Sequence, residues 1–366
     1  MSDPERWPSD YFASRDRFVE LARSCAADTE SRVVDAVGPR GEPLSVDVAV
    51  LSRGRAGHRI VLVGGVHGVE GFLGAAVQFD ALRRLARRGL PDGVEVAMIH
   101  AANPWGFAHL RRVDENNVDV NRNFIGSSLP EPASPVGYAE LDPLVNPRRA
   151  PRAGDELRYW LNAARLIARD RGVGKLAKAI AEGQYRFPRG LFFGGATAGE
   201  SCRLLQELVL DLSADVERLT VLDVHSGLGR SAVATLIGDG NAGTREGRAR
   251  RLHDHYRRSV HLDSADGNVY DARGTFARWC RHALADKRFL YLCVEIGTVD
   301  PVRLLSALRR ENQAHHWSDR DSAAYVATKR ALLEVFAPRS PRWRRTSVAQ
   351  GMDVLERTLE LPVELC

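Results

Sequence analysis

Residues 58–71 read HRIVLVGGVHGVEG, and the reading of this stretch decides how the rest of the chain is understood. Residues 60–63 form an apolar run bounded by Gly64 and Gly65. That is the pattern of a strand buried on both faces and ending abruptly in a loop. His67 and Glu70 follow at once, in the spacing H-x-x-E. An imidazole and a carboxylate three residues apart, held at the mouth of a rigid strand, can converge on one metal ion. Zinc accepts such ligands and, given a third from the protein, keeps one position open for water. An isolated H-x-x-E is more often a capped and solvated strand–turn–helix junction, so the metal reading depends on what the remaining chain supplies.

Upstream, residues 9–27 have helical spacing with Ser9-Asp10 as the cap. Two strand-like runs follow, 31–37 and 44–51. The turn GPRGEP joins them, which predicts an antiparallel edge hairpin. Downstream, residues 70–88 read as an amphipathic helix stopped by Gly89, and 94–100 as a second buried strand. Residues 103–124, NPWGFAHLRRVDENNVDVNRNF, are almost pure loop chemistry. A polar loop this long in a compact domain is functional or disordered, and its aromatics favour function.

Beyond it, 127–152 is Pro-rich and reads as a surface excursion, followed by a helix over 155–170. The passage GQYRFPRGLFFGG, 183–195, suits a packed loop that shapes a pocket or a surface Ω-loop. A helix at 202–212 precedes a strand at 219–224, which delivers Asp223-Val-His225-Ser-Gly-Leu-Gly. A further strand at 235–237 and helices at 244–260 and 275–284 lead to a last strand, 289–295, ending on Glu295. Helices run on to about 336. The tail, 338–366, reads as a basic linker, PRSPRWRR, and a helix over 351–359. No internal repeat or second core is evident. The alternation predicts a single α/β domain spanning 1–366, with a mixed, largely parallel twisted sheet and helices on both faces. An insertion at about 125–200 would rim the site and favour a small substrate.

Composition narrows the function classes. With 366 residues, 44% hydrophobic and 27% charged, the chain has the make-up of a soluble globular protein. No apolar run nears the roughly 20 residues that cross a bilayer. The start, MSDPERWPSDYF, lacks the features of a secretory signal, and the five cysteines are odd in number and scattered. A cytoplasmic enzyme is the expectation. The net charge of +5 does not indicate a nucleic-acid partner. Only Lys175, Lys178, Lys287 and Lys329 are lysines, and the arginine bias runs through the whole chain. Pairs such as Arg83-Arg84 and Arg309-Arg310 sit at helical spacing among apolar residues, as solvated helix faces do.

Four strands thus end in polar groups: His67 with Glu70, the 103–124 loop, His225, and Glu295. In open α/β sheets the functional crevice lies beyond the C-terminal strand edge. The set H-x-x-E, NP-x-G-F, an Arg-rich loop, D-x-NRNF, D-x-HSGLG and a late E-x-GT resembles the M14-type zinc carboxypeptidase superfamily. It is most similar to the M14-like branch catalogued as DUF2817, over about residues 9–360. The resemblance implies one Zn²⁺ ion held by His67, Glu70 and His225, with Glu295 as the general base that activates water. It implies that Arg112, or the adjacent Arg111, stabilises the developing oxyanion. Asn121 and Arg122 match the pair that grips a substrate's terminal carboxylate. Tyr270, in DGNVYDARG, lies in the interval where the superfamily carries a mobile tyrosine. Alternation along the strand puts Asp223 on the same side as His225, where it can support that ligand.

The function implied is a zinc-dependent metallohydrolase, carboxypeptidase-like, acting on a small peptide or acylated amino acid with a free carboxylate. An N-acyl amino acid deacylase of the aspartoacylase or succinylglutamate desuccinylase kind shares the same metal set. A non-catalytic binding module, the third alternative, predicts lost ligands or a lost base, and none is missing. Neither nucleic acid nor membrane is expected as a partner.

Overall fold

The computed structural model describes residues 7–126, 137–170, 180, 182–240, 245–262 and 272–365. Eight strands form one sheet: β1 (Asp28–Val37), β2 (Pro43–Leu51), β3 (His58–Gly64), β4 (Val94–His100), β5 (Arg218–Gly227), β6 (Ala234–Gly240), β7 (Val260–Leu262) and β8 (Arg288–Gly297). Their spatial order is β1-β2-β4-β3-β5-β8-β6-β7. The inner strands β4, β3, β5 and β8 run parallel, while β2 and β6 flank them antiparallel. This is the mixed, largely parallel α/β sheet the sequence predicts, and β1–β2 is the expected edge hairpin. β3 is buried at every position, because it has neighbours on both edges and helices over the sheet.

Helix Gly71–Arg88 follows β3 and packs on it. Its Gln78 side chain donates to the carbonyls of Leu62 and Ile99, at 3.1 and 2.9 Å, and so ties the helix to two strands. The helix stops where Gly89 turns to φ +78°, which glycine adopts without steric cost. His100, at the end of β4, is buried between Gln78 and Ser14 of helix Tyr11–Ser24 and stacks on Phe18. Burial pushes its pKa down to about 3, aided by Arg15.

Some expectations need correction. The 244–260 region is a helix only over Arg245–Tyr256; Val260–Leu262 pairs with β6 as a short parallel strand. The tail has no basic linker before its helix, which runs from Pro341 to Leu359. Ser340 caps it, and Pro341 sits at the first turn, where a missing N–H costs nothing. Trp343 is buried and donates its indole N–H to the Gly297 carbonyl at 2.9 Å. The 127–152 excursion contains helix Tyr138–Val145.

Among the described residues, the apolar side chains form two clusters. The large one fills the interior around the sheet. A smaller one joins Tyr138, Leu141, Ile180 and Phe192 to Leu304, Leu332 and Phe336. It packs the first four against helices Pro301–Trp317 and Ala323–Phe336. No second core was expected from the sequence, because its members come from segments more than a hundred residues apart.

Candidate metal centre

The site is assembled where β3, β5 and β8 end side by side. After β3 the chain turns at Gly65, with φ +77°, and passes Gly68, where a Cβ would lie 2.0 Å from the carbonyl carbon of Gly106. No other residue fits there without moving the neighbouring backbone. The turn is clamped by its amides: Gly68 donates to the Arg112 carbonyl at 3.1 Å and Val69 to that of Arg111 at 2.8 Å. The glycines let the backbone turn so that His67 and Glu70 aim at one point.

His67 Nδ1 lies 3.0 Å from Glu70 Oε1, and His225 Nδ1 lies 3.0 Å from Glu70 Oε2. The two Nδ1 atoms are 3.1 Å apart, and all three residues are buried. Each outward nitrogen meets a buried carboxylate. His67 Nε2 lies 3.0 Å from Asp119 Oδ1, and His225 Nε2 2.7 Å from Asp223 Oδ2. A carboxylate only accepts, so each Nε2 carries the proton and each Nδ1 turns a lone pair inward. Two lone pairs and a carboxylate facing one point in a buried pocket make a donor set for a divalent cation. Burial opposes a charge on His225, yet Asp223 and Glu70 outweigh it and raise its pKa well above the usual value. Burial also opposes ionisation of Glu70, but His67 and His225 hold its pKa far below the ordinary range.

Glu295 stands opposite His225 in the β5–β8 register. Its Oε1 accepts the Leu228 amide at 2.8 Å. Burial, then the neighbouring Glu70, pushes its pKa up to about 7. Arg112 donates from Nη1 to Glu70 at 3.0 Å and from Nε to Asp119 at 3.1 Å, and it lies over the Phe192 ring. Arg111 points elsewhere. It is buried, donates to Glu311 at 2.9 Å and to Asn117 and Asn312 at 3.0 Å, and does not line the cavity.

Asn121 and Arg122 both line the cavity. They sit on a 3-10 turn, Val120–Arg122, capped by Asp119, whose carboxylate accepts the Asn121 amide. Tyr270 lies outside the described residues. The GQYRFPRGLFFGG passage is packed, not a surface Ω-loop: Tyr185 donates to the Arg122 carbonyl at 2.6 Å, and Phe192 lines the cavity.

Two contributors went unassigned in the sequence. Asp119 joins His67, Arg112 and Asn121 through one carboxylate, and burial is outweighed by Arg112 and His67 in setting its pKa well below the usual range. Its signal was its place in D-x-NRNF. Tyr291 donates to Asp223 at 2.7 Å, and alternation back from Glu295 along β8 would have found it.

A His-Glu-His donor set at the C-terminal edge of the parallel strands makes this α/β chain a candidate metalloprotein. Residues 7–350 match the family described as "Protein of unknown function (DUF2817)", and the chain belongs to that family. No curated protein sequence matches it significantly. Solved structures with a similar chain path include carboxypeptidase A from Helicoverpa armigera, at 12% identity and TM-score 0.49, covering 95% of this chain and 74% of that one. A metallo-carboxypeptidase from Burkholderia cenocepacia matches at 13% identity and TM-score 0.45, covering 90% and 69%. An aspartoacylase family protein from Mesorhizobium loti matches at 16% and 0.38, covering 85% and 67%. Among the described residues, no helix is long and apolar enough to cross a membrane.

Proposed function

We propose that the chain is a zinc-dependent hydrolase that cleaves an amide bond next to a free carboxylate, on a short peptide or an acylated amino acid. The observation that carries this reading is the convergence of His67 Nδ1, Glu70 and His225 Nδ1 beside Glu295, in one cavity with Asn121 and Arg122. A divalent ion held by the three ligands would supply Lewis acidity, lowering the pKa of water towards ~7.

The chain's own residues do the rest. Glu295 takes the proton of the attacking water at its carboxylate and hands it to the departing nitrogen. With a cation held beside it, Glu70 would add less to the rise that burial and its charge impose on Glu295. Arg112 has Nη2 left for the substrate oxygen on which charge develops, since Nε and Nη1 are committed to Asp119 and Glu70. Arg111 has no part in this chemistry. Asn121 and Arg122 hold the substrate carboxylate and set which amide lies over the ligands.

Chelation should abolish hydrolysis of N-acyl amino acids and small peptides, and zinc should restore it. Glu295→Gln should retain zinc and lose about 100- to 10,000-fold in kcat. Undiminished turnover by the folded variant would sink this mechanism.

A further inference from the structure

Many of the residues lining the cavity are apolar, and two groups of them stand at identifiable places. The first adjoins Asn121 and Arg122. Ile237 of β6 and Cys293 of β8 are direct antiparallel partners, and both line the cavity with Ala277. The Phe276 amide donates to Asn121 Oδ1 at 2.9 Å, which fastens this wall to the Asn121–Arg122 corner. The second wall stands beside Glu295. A Cβ on Gly227 would lie 2.9 Å from Leu304, 3.3 Å from Phe336 and 3.6 Å from Glu295 Oε1. Leu228 and Leu305 extend it.

The charged side chains lining the cavity, among the described residues, are the three metal-site residues, Arg112, Arg122 and Glu295. Arg112 gives Nη1 to Glu70 and Nε to Asp119 and turns Nη2 to the scissile oxygen in the reading above, so among the described residues the second wall has no further cation for an acyl group that carries its own carboxylate. Such a carboxylate would lose its hydration against Leu304 and Phe336 and gain no partner there among the described residues.

We propose that the substrate is an amino acid with a free carboxylate and an apolar side chain, whose nitrogen carries an uncharged aliphatic acyl chain of several carbons. This rests on the hydrolase reading above, in which Asn121 and Arg122 hold the carboxylate. The amino-acid side chain lies on Ile237, Cys293 and Ala277; the acyl chain lies along Leu228, Leu304, Leu305 and Phe336. Water adds across the amide: the C–N bond breaks, the hydroxyl goes to the acyl carbon to give a fatty acid, and the proton goes to nitrogen to release the amino acid.

The test uses the full chain loaded with zinc and the series N-acetyl-, N-butanoyl-, N-hexanoyl-, N-octanoyl- and N-succinyl-leucine. kcat/KM is measured with the wild-type protein and Kd with zinc-loaded Glu295→Gln. Both should improve roughly fourfold per methylene from acetyl to hexanoyl, the gain for a buried methylene. Succinyl should fall at least tenfold below butanoyl, which has the same number of carbons. Leu304→Asn should cut the octanoyl-to-acetyl ratio at least tenfold, with Leu228→Asn serving if the first does not fold. A flat series, a preference for succinyl, or no binding at all overturns the proposal. If binding follows the series but nothing is hydrolysed, the wall assignment stands and the hydrolase reading falls. Hydrolysis with succinyl preferred leaves that reading and removes this one.

Discussion

The floor and the rim of the cavity are built by different means. The floor is a set of strand ends, and its side chains are placed by backbone register: His225 opposite Glu295, Asp223 on the same side as His225, His67 just past Gly64. The rim comes from helices Pro301–Trp317 and Ala323–Phe336 with Phe192 of the 183–195 loop, and its side chains are placed by packing in the smaller apolar cluster. Register is set by hydrogen-bond spacing, so it tolerates little drift. Packing can be met by many apolar combinations. The proposed chemistry therefore falls on the register-fixed part, and the proposed selectivity on the part that sequence change alters most cheaply.

The neighbouring arginines straddle this boundary and separate its two halves. Arg112→Met removes the donor facing the substrate oxygen, and kcat/KM should fall about 100- to 1,000-fold with a modest change in stability. Arg111→Met should do the reverse. It strips a buried carboxylate of one partner, which costs about 3–5 kcal/mol in comparable cases. Lys329 still lies 2.6 Å from Glu311, so the lower end of that range is expected. Urea midpoints and kinetics on both variants check this. Equal effects on activity would erase the distinction between them.

A smaller effect concerns pH. His58 and His100 are buried neutral, each with its pKa pushed down to about 3 by burial. A histidine depressed in the fold favours the folded state above the unfolded pKa of ~6.5, and that contribution drains as pH falls from there towards 3. Asp114, pushed up to about 7 by burial and Glu115, works in the opposite direction over much of the same range. The difference between wild type and His100→Gln isolates one term: the variant's urea midpoint should fall less between pH 7 and pH 5. An identical slope would remove His100 from the acid response.

The floor was legible in the sequence for the same reason it is rigid. Ile60–Val63 as a strand, H-x-x-E at its mouth, and His225 and Glu295 at later strand ends are local patterns. Their meeting follows from one rule about parallel sheets. The rim was not legible. Leu304 and Phe336 are ordinary apolar residues of amphipathic helices, and nothing local says that they face a cavity. Arg111 and Arg112 cannot be told apart by spacing; only the pairing of Arg111 with Glu311, 200 residues away, separates them. The first turns of the tail helix were hidden because PRWRR reads as a linker by charge, although the helix starts at Pro341 and buries Trp343.

The central claim is that three side chains on two neighbouring strand ends hold one metal ion. Zinc content of the purified protein, measured on wild type and on His225→Ala after equal exposure to zinc, tests it most directly. The account predicts about one zinc per chain for the wild type and near-complete loss in the variant, with circular dichroism unchanged. A His225→Ala protein that keeps its zinc, or a wild type that binds none, would contradict it.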